Sequence, residues 1–276
     1  MKTENLKKTF ILLLLSSFIC PFLNAANEDE DKAPDNSFQV SLTTGNNQIT
    51  QGKKLATDAF YLKPALHYSY KQGFYADLSA SYIPSLQKNS LSNMGFGLGY
   101  NFDLGNNFST GFGYAYTHYF SSKEVLSSAP NDLSWNLGWD NPIIAPSLNV
   151  DYSFGSTKDL SAGLDLSHSF TVNHIFCSSD KLTIPISVST TFASANFYQA
   201  YVTKNQIKNK KSKTVVSPAT VDTSFGISDV ALSASLSYQI KGFSITPAMT
   251  YQIPFGTAAD ISTSSPVFTL QVAYSF

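Results

Sequence analysis

Three residues near position 70 have the side-chain types that nucleophilic catalysis requires. His67 and Ser69 are two positions apart in the stretch LHYSY, so on a β-strand both side chains point to the same face. If the turn at KQG takes three residues, we expect Asp77 to lie opposite Ser69 on the next strand. A serine, a histidine and an aspartate placed side by side would suit a hydroxyl nucleophile that is activated by a base.

These residues must be positioned by β-strands, because apolar and polar residues alternate almost without interruption after residue 36. Each segment has about the length of a tilted strand that crosses a membrane, roughly 9–11 residues. One side of the segments is aromatic or aliphatic, and the other holds mainly Ser, Thr, Gly, Asn and Gln. The twelve segments are 37–44, 59–71, 74–84, 92–104, 107–120, 132–140, 145–155, 159–173, 181–193, 227–240, 243–255 and 266–276.

A soluble β-sandwich would show the same alternation, so other features must separate the two alternatives. Strands of soluble sheets average about 5–6 residues, and their exposed faces carry many lysines and glutamates. In this chain charged residues make up only 13% and aromatic residues 14%, whereas soluble domains carry about 25% charged residues. Long segments, few charges and many aromatic residues favour a surface that faces lipid.

Strands that cross a membrane must close into a barrel, because lipid cannot satisfy backbone N–H and C=O groups. The connections alternate between short turns and longer loops, which is typical of outer-membrane barrels. An even number of strands places both chain ends on the short-turn, periplasmic side. We therefore expect an all-β, antiparallel, up-and-down transmembrane β-barrel of twelve strands over residues 37–276, with ten or fourteen strands as alternatives.

The N-terminus has the three parts of a secretory signal peptide. A basic start precedes the apolar stretch FILLLLSSFICPFL, and LNA offers a cleavage site after Ala25, so residues 1–25 are the predicted signal. Residues 26–36 are acidic, and we expect them to form a disordered lead-in. Cys20 lies within the signal, which leaves Cys177 alone in the mature chain. Neither an intrachain disulfide nor a two-cysteine metal site can then form, and we expect no metal and no cofactor.

The last segment carries apolar or aromatic residues at every second position, counted back from the final residue. These residues are Phe268, Leu270, Val272, Tyr274 and Phe276. This pattern resembles the C-terminal assembly signal of bacterial outer-membrane β-barrel proteins. The resemblance implies recognition by a barrel-assembly machinery and residence in the outer membrane, in contact with its lipid and lipopolysaccharide.

The first functional hypothesis is a porin-like passive channel for small polar solutes. The net charge of -1 gives no indication of a nucleic-acid partner. The inner side is rich in Ser and Gly, and a twelve-stranded barrel is wider than the eight-stranded barrels that side chains fill. Alternatively, the glycines only ease bending or make room for neighbouring aromatic residues. The ionisable residues predicted to line the pore are Lys63, His67, Lys71, Asp77, Asp103, Asp151, Asp165 and Asp229.

Carboxylates predominate among these predicted pore-lining residues. Rings of carboxylates favour cations, so we expect a mild cation preference. Alternatively, Asp77 and Lys71 only pair with each other near the periplasmic rim.

The second hypothesis is a lipid hydrolase that uses His67, Ser69 and Asp77. The chain is similar to outer-membrane phospholipases in having a histidine and a serine separated by one residue. The further residues of their motif are absent here, and their pair faces lipid, whereas the predicted register turns His67 into the lumen. We therefore expect no enzymatic activity and keep the hydrolase as an alternative to the channel.

The third hypothesis is a surface-binding or structural barrel. The longest predicted loop, residues 194–226, is basic and could contact anionic lipopolysaccharide or a host polymer. Alternatively, it is a solvated loop without a ligand. Its lysines are Lys204, Lys208, Lys210, Lys211 and Lys213. The sequence leaves the oligomeric state open.

Overall fold

The computed structural model describes ten ranges of the chain. They are residues 36–46, 49–50, 53–54, 60–70, 73–85, 90–120, 129–155, 158–194, 225–255 and 264–276. The predicted signal peptide, the acidic lead-in up to residue 35 and nearly all of the predicted loop 194–226 lie outside these ranges. Within them, no helix is long and apolar enough to cross a membrane.

Twelve long strands form where the residues alternate, and their bounds agree with the predicted segments to within two residues. They are β1 (Asn36–Gly45), β2 (Tyr61–Tyr70), β3 (Phe74–Tyr82), β4 (Leu91–Gly105), β5 (Phe108–Tyr119), β6 (Asn131–Trp139), β7 (Ala145–Phe154), β8 (Lys158–Asn173), β9 (Asp180–Ala193), β10 (Gly226–Ser235 and Ser237–Ile240), β11 (Phe243–Pro254) and β12 (Ser265–Ser275). Asn36, which the sequence assigned to the lead-in, belongs to β1.

Each strand pairs antiparallel with its neighbour in the chain, and β12 pairs antiparallel with β1. The sheet therefore closes on itself, and the predicted twelve-stranded up-and-down barrel is confirmed. The closing junction runs from Gly45 opposite Thr269 to Gln39 opposite Ser275. It continues with a hydrogen bond of 2.9 Å from the Phe276 N–H to the Phe38 carbonyl. A separate short hairpin pairs Ile49–Thr50 with Lys53–Lys54 in the connection between β1 and β2.

One strand is interrupted where the sequence predicts a continuous segment. Between its two pieces, β10 leaves Leu236 outside the ladder, although the Leu236 N–H still donates to the Pro247 carbonyl at 3.0 Å. Proline has no N–H, so Pro247 on β11 cannot return a hydrogen bond to β10. The break in β10 thus lies beside a position that lacks a backbone donor.

The side-chain distribution is inverted relative to a soluble protein. Large apolar side chains point outward and are exposed, as Phe112 (56%) and Leu232 (53%) show, whereas Ser81 and Ser92 are completely buried. Such an apolar exterior suits hydrocarbon surroundings, in which water is absent and the closed ladder satisfies the backbone. The predicted assignment of the apolar side to the outside of the barrel therefore agrees with the structure.

The two ends of the barrel differ in the length of their connections. At one end, called the turn end below, short connections such as residues 106–107 and 241–242 join the strands, and Asn36 and Phe276 lie there too. Gly105, Asn106 and Asn107 all have positive φ (84°, 53° and 65°), which glycine and asparagine tolerate better than other residues. The opposite end, called the loop end, carries the long connections.

Candidate functional site in the barrel interior

A cavity of about 740 Å³ occupies the loop-end half of the barrel interior. Most of its wall consists of serine, threonine and glutamine side chains from β1 and β8 to β12, with hydroxyl and amide groups that can exchange hydrogen bonds with water. Three charged residues join them, namely Lys63, Asp151 and Asp229. This cavity is the polar compartment that the alternating pattern predicts.

The charged residues of the cavity lie on different sides of the barrel. Lys63 is on β2, whereas Asp151 is on β7 and Asp229 on β10, so at least three strands separate the lysine from either aspartate around the wall. Asp229 is 4% exposed and accepts hydrogen bonds from Ser228 Oγ at 2.8 Å and from Thr191 Oγ1 at 3.3 Å. These donors partly compensate for the loss of hydration. The cavity therefore has a lysine on one side and hydrogen-bonded carboxylates on strands well separated from it.

Two further aspartates face the interior at the loop end, and the sequence analysis did not include them in the predicted pore lining. Asp132 on β6 accepts a hydrogen bond of 2.6 Å from Ser153 Oγ, and Asp159 on β8 is 4% exposed and accepts one of 3.0 Å from Ser194 Oγ. Both lie on the polar side of their segments, so the alternation alone could have found them. Asp132 and Asp159 thus add two carboxylates to Asp151 and Asp229, whereas Lys63 is the lysine that lines the described cavity.

The other predicted pore-lining residues are distributed along the barrel. Asp165 lies opposite Ser147 and Ser189, and because Ser189 lines the cavity, Asp165 shares its inward face. Asp103 lies opposite Ser109 close to the turn end. Lys71 lies outside the described residues, so its pairing with Asp77 stays a prediction.

The prediction that Asp77 lies opposite Ser69 is wrong. Asp77 lies opposite His67, and Ser69 lies opposite Tyr75. Since β2 ends at Tyr70 and β3 begins at Phe74, three residues join them, as predicted, but such a turn shifts Asp77 by two positions from where it was placed. The offset keeps the inward orientation of Asp77 and changes its partner.

His67 and Asp77 form a polar pair in the turn-end half of the interior. The distance from His67 Nδ1 to Asp77 Oδ1 is 2.7 Å, and the His67 ring stacks on Tyr75 at a centroid distance of 6.0 Å. Ser69 Oγ is instead 2.6 Å from Ser37 Oγ on β1. The structure thus brings the histidine and the aspartate together, while the described hydrogen bond of the Ser69 hydroxyl is to another serine.

The residues of the predicted assembly signal lie along β12 and its end. Tyr274 is opposite Val40 and Val272 is opposite Leu42, on the seam with β1. Phe276 packs against Phe38 and Tyr274 at centroid distances of 5.9 and 4.8 Å. Phe268 and Leu270, further along the strand, are exposed on the outer surface. Four of the five residues therefore lie on the strand that closes the barrel, and Phe276 follows it directly.

The remaining predicted sites concern the basic loop and metal binding. Lys204, Lys208, Lys210, Lys211 and Lys213 lie outside the described residues. In the part of the chain that the structure describes, no group of three or more His, Cys, Asp or Glu side chains could hold a metal ion.

Comparison with known proteins finds relatives by fold alone. No protein-family model matches the chain, and no curated protein matches it. Among solved structures, the chain is similar to the KdgM porin, with 10% identity, coverage of 87% of this chain and 99% of that chain, and a TM-score of 0.50. The chain has the fold of a bacterial outer-membrane porin.

The chain is also similar to two other solved structures. One is the KdgM porin in complex with disordered oligogalacturonate, at 11% identity, with coverage of 87% and 99% and a TM-score of 0.49. The other is the NanC porin, at 10% identity, with coverage of 85% and 98% and a TM-score of 0.47.

Proposed function

We propose that the chain is an outer-membrane channel that lets small polar solutes pass through a water-filled interior. The observation that carries this proposal is the cavity of about 740 Å³ with a wall of hydroxyl and amide groups, inside a closed barrel with an apolar exterior. Eight-stranded barrels have interiors that side chains fill, and barrel diameter grows with the number of strands. Twelve strands with many small inward residues leave room for water and for solutes.

The interior charges support a preference for cations. Asp132, Asp151, Asp159 and Asp229 face the interior of the loop-end half, whereas Lys63 lies on the distant strand β2. Charged groups at membrane depth are costly unless they line water or pair, and carboxylates around a channel attract cations. We infer that the channel is mildly cation-selective.

The orientation follows from the distribution of the connections. In outer-membrane barrels the short turns face the periplasm and the longer loops face the outside, which would place Asn36 and Phe276 on the periplasmic side. The resemblance of the last strand to an assembly signal supports export through a cleaved signal peptide, followed by insertion by a barrel-assembly machinery. Outer-membrane lipid and lipopolysaccharide would then surround the apolar exterior.

The test is a conductance measurement on the purified protein, refolded and inserted into planar lipid bilayers. We expect discrete current steps, and under a KCl gradient a reversal potential of the sign that cation selectivity produces. Insertion of folded protein without any current would contradict the channel, and an anion-selective reversal potential would contradict the cation preference alone. Folded protein is recognised by its heat-sensitive electrophoretic mobility and its β-type circular dichroism.

A further inference from the structure

Tyr75 is a large aromatic residue that points into the barrel from β3. Its direct neighbour on β4 is Gly99, and the neighbour of Gly99 on β5 is Gly113. A methyl group placed on Gly99 would overlap the Cζ, Oη and Cε1 atoms of Tyr75. One placed on Gly113 would lie 2.5 Å from Ser134 Oγ on β6 and 2.8 Å from Tyr75 Oη. The side chain therefore extends sideways across two strands and rests where these glycines have no side chain.

The same arrangement recurs one row nearer the turn end. Asn101 lies opposite Gly111, and a methyl group on Gly111 would overlap Asn101 Oδ1 and lie 2.9 Å from Asn136 Nδ2. Gly163 on β8 is different, because a methyl group there would meet nothing within 4 Å. The glycines of β4 and β5 thus make room for inward side chains, whereas the space at Gly163 is open.

The neighbours of Tyr75 limit where its ring can go. The His67 ring stacks on Tyr75, and Asp77 holds His67 through the 2.7 Å hydrogen bond. The barrel wall closes off the outward direction, since Tyr75 stands on the inward face of a continuous ladder. If the Tyr75 ring were displaced from its position over Gly99, it would therefore have to move toward the barrel axis.

We propose that Tyr75 determines the free width of the turn-end half of the lumen, and thereby the largest solute that passes, because Gly99 and Gly113 hold its ring against the wall. This inference rests on the proposed channel function and names a residue that sets its size limit. When the Tyr75 ring lies flat against the barrel wall, the lumen is wider than it would be if the ring pointed toward the barrel axis.

The experiment compares variants by single-channel conductance and by the exclusion of uncharged polymers of increasing size. We expect Gly99→Ala to lower the conductance and the size limit, because the new methyl group displaces the Tyr75 ring into the lumen. Gly113→Ala should act in the same direction but more weakly, because its methyl group meets Ser134 Oγ before Tyr75 Oη. Gly163→Ala is the matched control, since it adds the same methyl group where nothing is contacted, and we expect the conductance of the wild type.

Removal of the ring completes the test. Tyr75→Ala should conduct at least as well as the wild type and admit larger polymers, and Tyr75→Ala combined with Gly99→Ala should restore the conductance that Gly99→Ala alone loses. A Gly99→Ala channel with wild-type conductance, or a double variant as narrow as Gly99→Ala, would overturn the role of Tyr75. If Gly99→Ala does not fold, the size limit of Tyr75→Ala decides, because an unchanged limit excludes Tyr75 as the determinant. If the folded wild type carries no current, the channel function itself is contradicted. If the wild type conducts but its size limit is the same in Tyr75→Ala, only the role of Tyr75 is contradicted.

Discussion

His67 Nδ1 lies 2.7 Å from Asp77 Oδ1 across neighbouring strands of the barrel, and the two side chains are 40% and 46% exposed. Water therefore reaches both partners, in contrast to a buried catalytic pair. Exposed pairs of this kind contribute about 0.2–1 kcal/mol even when both partners are charged. The pair accordingly orients His67 on Tyr75 more than it holds the barrel together.

The small contribution of this pair leads to a first prediction. Replacement of Asp77 by Asn keeps the size of the side chain and removes its charge, and we expect it to lower the free energy of unfolding by no more than about 1 kcal/mol. Urea unfolding of the refolded protein in lipid vesicles measures this change. A loss several times larger would show that the pair is a main determinant of stability.

The position of Ser69 leads to a second prediction, about catalysis. Because Asp77 lies opposite His67 and the Ser69 hydroxyl is 2.6 Å from Ser37 Oγ, we expect the protein to release no fatty acid from phospholipid vesicles. The Ser69→Ala variant should be indistinguishable from the wild type in this assay. Hydrolysis by the wild type that disappears in Ser69→Ala would instead establish the hydrolase, with His67 as its base.

The lumen charges lead to a third prediction. The combined change of Asp151 and Asp229 to Asn removes two carboxylates from the cavity wall, so the permeability ratio of cations to anions should fall. Lys63→Gln removes a positive charge from the same cavity and should raise that ratio. Reversal potentials under a salt gradient measure both changes.

A matched control for the lysine variant is Lys241→Gln, which removes one positive charge from the turn between β10 and β11, away from the cavity. We expect its permeability ratio to equal that of the wild type. An equal shift in Lys241→Gln and Lys63→Gln would mean that net charge acts, with no special role for the cavity wall.

The barrel closure leads to a fourth prediction. Phe276→Ala removes a ring that packs against Phe38 and Tyr274 but leaves the hydrogen bond from its N–H to the Phe38 carbonyl. If this residue also belongs to an assembly signal, the variant should accumulate less in outer membranes than the wild type while it still refolds in detergent. Phe255→Ala removes an exposed aromatic residue from the end of β11 and serves as the control. Equal accumulation of all three proteins would exclude the signal role of Phe276.

The fold could be predicted from the sequence because its main determinant is local. Alternation with a period of two marks each strand and its apolar face within the strand itself, as β7 shows, predicted at 145–155 and found at Ala145–Phe154. The turn-rich connections supply the strand order, since an up-and-down barrel pairs each strand with the next. No long-range information is needed up to this point.

The features that the sequence did not predict depend on register between strands. The break at Leu236 requires Pro247 to lie beside it, and the position of the Tyr75 ring requires Gly99 and Gly113 to share its row across two hairpins. The partner of Asp77 likewise depends on register, since the three-residue turn that was predicted pairs His67 with Asp77 and leaves Ser69 opposite Tyr75. Such relationships come from pairing and are absent from any single segment.

The interruption at Leu236 also bears on how the cylinder comes apart. Between β1 and β12 every register position from Gln39 to Gly45 is paired, whereas beside Pro247 one rung of the neighbouring ladder lacks its donor. Amide protons around Leu236 should consequently exchange with deuterium sooner than those of the junction where the first and last strands meet. Mechanical or thermal opening would then start between β10 and β11, while the junction of β1 and β12 stays paired.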